Sequence, residues 1–174
     1  MSHRLAVATW HTVIGSALGE LTLVRDAEGL RGLYFPHHWY RPDPATFGPR
    51  RDQGFDETTL QLTEYLAGAR REFELALVAR GDPLQIAVWR LIADIPYGAT
   101  SSYGELAMQL GGGITAQQTG AAIGRNPLSI VVPCHRVVGR NGKLTGYAGG
   151  IARKSYLLDL ERMPVQAALM SGLS

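Results

Sequence analysis

The chain is organised around one stretch, Ile130-Val131-Val132-Pro133-Cys134-His135-Arg136-Val137-Val138, which holds the only cysteine among 174 residues. The apolar, β-branched run before the cysteine predicts a buried strand. In a flat strand Cys134 and His135 would point to opposite faces, so joint action requires the chain to turn near Pro133. A histidine base or a nearby cation favours the nucleophilic thiolate form of a cysteine. On these residues alone, a small buried hydrophobe remains the alternative interpretation of Cys134.

The residues after this stretch predict a turn, a glycine-rich loop and a helix. Asn141-Gly142 is a strong turn signal. It is followed by Leu144-Thr145-Gly146-Tyr147-Ala148-Gly149-Gly150, and the glycine pair opens a helical pattern from Ile151 to Glu161. The cysteine is therefore expected to lie close to a loop of small residues and to the start of a helix.

Length and composition exclude several classes of protein. A chain of 174 residues with 45% hydrophobic and 18% charged residues is typical of a soluble globular protein of one domain or two small ones. No apolar run reaches the length of a membrane span, and the N-terminus lacks a signal-peptide pattern. A single cysteine excludes an internal disulfide and fits a reducing cytoplasm. One cysteine and five scattered histidines give no zinc spacing, so neither a metal nor another cofactor is expected.

Charge is distributed unevenly along the chain. Residues 1–82 carry 9 Arg and Lys against 11 Asp and Glu, whereas residues 83–174 carry 8 against 4. A basic C-terminal half favours a polyanionic partner such as nucleic acid. Chance asymmetry on a solvated surface explains the same numbers equally well.

The N-terminal half has the pattern of a small antiparallel sheet followed by a helix. The predicted strands are Leu5 to Trp10, Glu20 to Arg25 and Leu30 to Phe35, and Phe73 to Val78 is expected to add another. The helix begins at Asp56, with Leu62, Tyr65, Leu66 and Ala69 on one face. His37-His38-Trp39-Tyr40 precedes a proline-rich loop and is interpreted as an ordinary segment without a site.

Beyond Arg80-Gly81-Asp82-Pro83, which predicts a domain boundary, the period becomes helical. The first helix has Leu84, Val88, Leu91 and Ile92 on one face and ends at Ile95-Pro96-Tyr97-Gly98. Ser102 and Glu105 fit a capping box for a second helix, which runs to Leu110 and stops at Gly111-Gly112-Gly113. A third helix opens at Thr115. This is a helix-turn-helix layout, although an ordinary αα-hairpin fits the same pattern.

The segment from Asn126-Pro127 to Glu161 resembles the active-site signature of the O(6)-alkylguanine-DNA alkyltransferases. The match consists of Pro-Cys-His-Arg-Val, Gly-Tyr-Ala-Gly-Gly and a trailing Lys-x-x-Leu-Leu-x-x-Glu. It extends over about residues 84–161, while the first 80 residues are similar only in layout. The resemblance implies an α/β (α+β) fold with an N-terminal sheet domain at 1–80, a C-terminal alkyltransferase domain at 84–165 and a tail at 166–174.

The same resemblance implies a DNA repair protein that moves an alkyl group from O(6)-alkylguanine to its own cysteine, irreversibly and once. Cys134 would be the acceptor, and His135 would take the thiol proton through a water. Glu161 would orient the imidazole. Tyr103 would donate to guanine N3, and Asn126 would tie the recognition helix to the cysteine loop.

The resemblance also implies two sets of residues that recognise the substrate, one for the base and one for the DNA. The pocket around the base would be formed by Val137, Tyr147, Ala148, Gly149 and Lys154. The contacts to DNA would come from Thr115, Ala116, Gln117, Gln118, Arg125 and Arg136. The expected partner is double-stranded DNA, bound through the minor groove with the target base flipped out, by a monomeric cytoplasmic protein.

The chain departs from the family pattern in the second helix of the motif. It has Gln117 where the family carries the arginine that fills the gap left by the flipped base, and glutamine is shorter and uncharged. Two rival functions follow from the residues. A non-catalytic, lesion-binding relative with weak duplex activity is argued against by Cys134. A Cys-His hydrolase is argued against by the adjacency of the two residues.

Overall fold

The structure, a computed structural model, describes residues 7–163. It opens with an antiparallel sheet in the order β1-β2-β3. The strands are β1 (Trp10–Ile14), β2 (Leu21–Arg25) and β3 (Leu30–Tyr34). Leu23 lies opposite Leu33, and both side chains are fully buried. The sheet therefore turns one apolar face toward the rest of the chain.

The first strand lies later in the chain than the predicted Leu5 to Trp10. The hairpin places Ile14 opposite Leu21, so that Trp10 begins the strand and pairs with Arg25. Its connection is tightened by the Ser16 hydroxyl, which donates to the Gly19 carbonyl at 2.6 Å. The turn thus sets the register. Residues 7–9 are not strand, and Leu5 lies outside the described residues.

Helix α1 (Asp56–Leu66) buries Leu62, Tyr65 and Leu66, as the sequence predicts. The expectation for Ala69 was wrong, because the helix ends at Leu66 and Ala69 is exposed. Gly68 has a φ of +78°, which ends the helical path before Ala69.

The predicted strand from Phe73 to Val78 is a single bridge instead. The Leu30 N–H donates to Ala76 at 2.9 Å and the Val78 N–H donates to Leu30 at 2.8 Å. Further along the same edge, the Leu33 N–H donates to the Pro127 carbonyl at 2.8 Å. The edge of β3 is shared between two segments, so neither pairs with it over a full strand.

The later part is mainly helical. Its elements are α2 (Pro83–Ala93), β4 (Ser101–Ser102), α3 (Tyr103–Leu110), α4 (Ala116–Gly124), β5 (Val137–Val138) and α5 (Ile151–Arg162). Capping boxes begin α3 at Ser102 with Glu105 and α4 at Thr115 with Gln118. All three glycines between these helices have positive φ, which suits residues without a Cβ. The predicted helix-turn-helix layout is present, and β4 pairs in parallel with β5.

In the run from Ile130 to Val132 the two end residues are buried as expected and Val131 is partly buried, but the run is a turn and not a strand. Asn126 accounts for this: its amide donates to the Val132 carbonyl and its oxygen accepts from the Leu128 N–H, both at 2.9 Å. Ile130 has a φ of +72°, an unusual conformation for a β-branched residue. The surrounding core holds the loop in this strained shape.

One hydrophobic core extends through both halves of the chain. It includes Leu21 and Tyr65 from the N-terminal half and Val88, Leu128 and Leu157 from the C-terminal half. Among residues 7–163, no helix is long and apolar enough to cross a membrane.

Candidate active site

Cys134 and His135 lie on a tight turn that is buried in the core. Residues Cys134–Arg136 form one turn of 3₁₀ helix directly after Pro133. Cys134 is 4% exposed and His135 is fully buried. The chain therefore turns where joint action of the two side chains requires it to.

Glu161, on the last turn of α5, accepts hydrogen bonds from four residues that belong to three segments of the chain. His135 Nε2 donates to its carboxylate at 2.7 Å, and Arg136 Nε and Nη2 donate at 2.8 and 3.1 Å. The Tyr65 hydroxyl donates to the same carboxylate, and the Gly98 N–H does so at 3.3 Å. A buried carboxylate with this many donors keeps its charge.

The electrostatics of this cluster define the tautomer of the imidazole. Burial alone would raise the pKa of Glu161, but the hydrogen bonds from His135 and Arg136 outweigh burial and hold it at about 2. Burial lowers the pKa of His135, although Glu161 opposes the shift, so the ring is neutral. Because Nε2 donates to the carboxylate, Nδ1 carries the free lone pair. Nδ1 is buried without a hydrogen-bond partner in the described part of the chain.

The thiol lies in surroundings that do not ionise it at rest. Burial raises the pKa of Cys134, and the Asn126 side chain and the Lys154 ammonium oppose that shift. Lys154 is itself buried, which lowers its pKa, and its Nζ donates to the Thr145 carbonyl at 3.3 Å. Cys134 therefore needs a base to form its thiolate, and His135 is its neighbour in the turn.

A cavity of about 170 Å³ opens onto the cysteine. It is lined by Trp39, Tyr103, Gly120, Ile123, Gly124, Cys134, Gly146, Tyr147 and Ala148. The Tyr103 hydroxyl lies 2.9 Å from the Thr145 hydroxyl at this site. Three predicted residues, Tyr103, Tyr147 and Ala148, thus share the cavity with Cys134.

Three residues of the predicted base pocket, Val137, Gly149 and Lys154, are not on the lining of this cavity. Val137 is fully buried in β5, and its N–H donates to the Cys134 carbonyl. Gly149 lies against Phe35, where a Cβ would come within 2.4 Å of the ring. The close approach explains why residue 149 has no side chain.

The predicted DNA-binding residues of α4 lie at its exposed N-terminal end. Thr115, Ala116, Gln117 and Gln118 are exposed, and the Gln118 side chain is occupied by the capping box. Gln117 is three and seven residues before Gly120 and Gly124, which line the cavity. These three positions share one helix face, so Gln117 lies on the face of α4 that lines the cavity, about one turn before Gly120.

Arg125 does not substitute for the missing arginine at position 117. It follows the C-terminal end of α4, and its guanidinium lies 3.9 Å from the centre of the Tyr40 ring. Eight residues of helix separate it from Gln117, which corresponds to about 12 Å along the axis.

The structure corrects the assignment of Arg136 to the DNA-binding set. Arg136 is 7% exposed, and its guanidinium is bound to Glu161 and, at 2.7 Å, to the Ile95 carbonyl. It is therefore not available to a phosphate.

Sequence reasoning also missed residues that the N-terminal half contributes. Tyr65 was assigned only to a helix face, yet its hydroxyl reaches Glu161. The segment His37-His38-Trp39-Tyr40 was interpreted as having no site, and this is corrected by Trp39, which lines the cavity. Neither contact has a local sequence signal, because the partners lie about 100 residues away.

Taken with the fold, this geometry defines a class: a protein with a helix-turn-helix and a buried cysteine that a histidine–carboxylate pair can activate. The model for the DNA binding domain of 6-O-methylguanine DNA methyltransferase matches residues 83–163, and that for its ribonuclease-like domain matches residues 10–79. The chain therefore belongs to the 6-O-methylguanine DNA methyltransferase family.

Individual relatives agree with this assignment. The chain is 44% identical over 160 residues to the methylated-DNA–protein-cysteine methyltransferase of Mycobacterium tuberculosis strain H37Rv, covering 91% of this chain and 96% of the relative. It is 38% identical to the inducible enzyme of that name from Bacillus subtilis, over 88% and 85% of the two chains. The crystal structure of Mycobacterium tuberculosis OGT in complex with DNA superimposes with a TM-score of 0.82 at 44% identity, covering 92% and 98%. The activity is that of a methylated-DNA–protein-cysteine methyltransferase.

Proposed function

We propose that this chain repairs O(6)-alkylguanine in DNA by transferring the alkyl group to Cys134, irreversibly and once per molecule. The observation that carries the proposal is the position of Cys134, which lines a cavity and directly precedes His135 of the buried His135–Glu161 pair. Residues 1–80 would form the sheet domain, residues 84–165 the alkyltransferase domain and residues 166–174 a tail. The lesion-binding alternative is not favoured, because the relatives are methyltransferases and Cys134 is in place.

The transfer is a displacement at the alkyl carbon. His135 Nδ1 accepts the thiol proton through a water molecule, and Glu161 stabilises the imidazolium that results. The thiolate of Cys134 then forms a C–S bond while the bond between the carbon and guanine O6 breaks. Tyr103 supplies a proton to N3 of the departing base. The product is a thioether, which explains why the cysteine is not regenerated.

Base recognition would use the loop on either side of the cysteine. The carbonyls of Cys134 and Val137 would accept from the exocyclic amine, and the Ala148 N–H would donate to O6. Tyr147 and Gly149 would give that loop its shape. Lys154, which donates to the Thr145 carbonyl, supports the loop from behind and lowers the pKa of Cys134. Asn126 would hold the cysteine loop to the end of α4.

DNA binding would use α4 from the minor-groove side, with the lesion flipped into the cavity. The exposed N-terminal end of α4, and the position of Gln117 on the helix face that carries Gly120 and Gly124, support this arrangement. Each copy carries a complete set of these residues, so a monomer suffices. A reduced thiol suits the cytoplasm.

Intact mass measures the acceptor and the stoichiometry directly. Incubation with a duplex containing O(6)-methylguanine should add one methyl group per molecule and then stop, even with excess DNA. The matched control is Cys134→Ala, which should gain nothing. Continued demethylation of excess DNA, or methylation of the Cys134→Ala variant, would overturn the proposal.

A further inference from the structure

Trp39 is the only residue of the cavity lining that comes from the N-terminal half of the chain. The other eight belong to α3, α4 or the segment from 134 to 148. Its indole lies directly on the glycine-rich loop, since a Cβ on Gly146 would come within 2.5 Å of Cη2. Trp39 nevertheless remains 52% exposed. In the described part of the chain, about half of this large aromatic surface at the cavity is thus left uncovered.

The segment that carries Trp39 is held by contacts of Trp39 itself and of its two neighbours, His38 and Tyr40. His38 is 6% exposed and lies in a turn in which its N–H donates to Phe35 and its carbonyl accepts from Arg41. The Trp39 N–H donates to the Ala148 carbonyl at 3.1 Å. These contacts hold the indole in place beside Ala148 before any ligand arrives.

Tyr40, on the other side of Trp39, contributes the third anchor. It has a φ of +55°, uncommon for a residue other than glycine, and its ring is covered by the Arg125 guanidinium. Strained backbone of this kind persists where the surroundings hold it and is concentrated at ligand sites. The contact joins the segment to the end of the recognition helix.

We propose that Trp39 is the stacking platform of the lesion pocket, on which the planar face of the flipped alkylguanine rests. The inference depends on the proposed function, since it assumes that the base enters the cavity. On the α4 side of the cavity, Gly120 and Gly124 contribute no side chain and Ile123 contributes an apolar one, which leaves space for a flat ring. An indole has no charge with which to hold a phosphate, but it stacks well on any purine.

In this arrangement the base stacks on one residue and the chemical step depends on others. Variants can therefore separate the two roles. Trp39 would contribute to binding of the base, whereas the His135–Glu161 pair would determine the rate once the base is bound. Base–aromatic stacking is worth about 1–3 kcal/mol by alanine substitution, which corresponds to about 5- to 150-fold in affinity.

The experiment follows alkylation of Cys134 by free O(6)-methylguanine base, so that DNA contacts and base flipping play no part. For Trp39→Ala, we expect the concentration of base that gives half the maximal rate to rise about 5- to 150-fold. The maximal rate should change little. Trp39→Phe keeps an aromatic face and should stay within a few-fold of the parent.

Two controls separate stacking from a general loss of structure. Iodoacetamide alkylates the thiol without a base to stack, so its rate with Cys134 should be the same in the parent and both variants. In a Cys134→Ala background, guanine should quench tryptophan fluorescence, and the quenching should disappear with Trp39→Phe but persist with Trp10→Phe. The fluorescence measurement does not depend on the folding of Trp39→Ala, because it compares Trp39→Phe with Trp10→Phe.

The results that would overturn the stacking role differ from the result that would overturn the proposed function. An unchanged half-maximal concentration in Trp39→Ala, quenching that survives Trp39→Phe, or a parallel loss of iodoacetamide reactivity would each overturn the stacking role. If the parent itself transfers no methyl group from base or DNA, the proposed function fails instead.

Discussion

At the scale of single residues, the chemistry depends on a carboxylate that is separated from the thiol by the imidazole. Glu161 accepts from His135, Arg136, Tyr65 and Gly98. Each donor favours the ionised carboxylate, and the ionised carboxylate fixes His135 with Nδ1 free to act as base. Removal of one donor should therefore change the reactivity of the Cys134 thiol, although the donor does not contact the thiol.

His135 and Glu161 should behave as one unit in mutant kinetics. His135→Ala removes the base, and Glu161→Gln removes the charge that orients and stabilises it, so each should slow alkylation by about 10²- to 10⁴-fold. The double variant should lose little more than the worse single variant, because residues of a relay are not additive. Single-turnover rates with O(6)-methylguanine DNA measure this. Multiplicative losses would show that the two act independently.

Tyr65→Phe tests the contribution of the N-terminal half. The substitution keeps a ring that contacts Phe73 and Tyr97 but removes the hydroxyl that donates to Glu161. Loss of a hydrogen bond to a charged group costs about 1.5–3 kcal/mol of stability. We also expect alkylation to slow several-fold, because Glu161 then holds the imidazole less firmly. Unfolding in urea and single-turnover rates measure the two effects.

Tyr34→Phe is the matched control for this variant. Tyr34 is also buried, but it packs with Val24 and Phe47 in a separate cluster away from Cys134. Its alkylation rate should equal that of the parent. A Tyr65→Phe variant that reacts at the parental rate would show that the Tyr65 hydroxyl has no influence on the relay.

At the scale of elements, the sequence correctly predicts the features that depend on residues close together in the chain. The capping boxes at Ser102 and Thr115 involve residues three apart, and both helices begin where predicted. The run before Cys134 was assigned to a strand because β-branched residues favour one, but the Asn126 side chain folds it into a turn. Arg136 was misassigned for a similar reason, since its partner Glu161 lies 25 residues away. Side chains that bond across the fold leave no periodic signal.

Helix α4 carries Gln117 at the position where the family pattern that the sequence resembles has an arginine. Gln117 lies one turn before Gly120 of the cavity lining, so it is placed to reach the gap that a flipped base leaves. Glutamine can hydrogen-bond in a minor groove but brings no charge. Gln117→Arg should speed reaction with duplex DNA and steepen its salt dependence by about one phosphate contact.

The free base supplies the control for Gln117→Arg, because it requires no flipping. Its rate should not change with the substitution. Equal acceleration of both substrates by Gln117→Arg, or of neither, would place residue 117 away from the flipped base.

At the scale of the whole molecule, the core and the site depend on each other. The core cluster that contains Cys134 also contains Leu21 and Tyr65 from the N-terminal half. Two buried groups at the junction of the halves, His38 and Glu161, have shifted pKa values. The stability of the entire fold should therefore report their protonation.

His38 should limit stability in mildly acidic solution. Burial lowers its pKa to about 4, from an ordinary value of 6.5. The folded state thus favours the neutral ring, and the stability it contributes is complete above pH 6.5 and lost as the pH falls toward 4. The loss is on the order of 3 kcal/mol. His38→Gln should flatten the free energy of unfolding, measured with urea, over this window. A slope equal to that of the parent would contradict the assignment.

Glu161 should act in a separate, more acidic window. Its pKa is held at about 2, below the ordinary 4.5, so its contribution is complete above pH 4.5 and is lost as the pH falls toward 2. That contribution is also on the order of 3 kcal/mol. Glu161→Gln should be less stable than the parent at pH 7, because Arg136 keeps a buried charge without its partner. The difference between the two proteins should shrink as the pH falls below 4.5. A difference that stays constant down to pH 2 would show that the carboxylate is not ionised in the folded state, and the assignment of the His135 tautomer would fail with it.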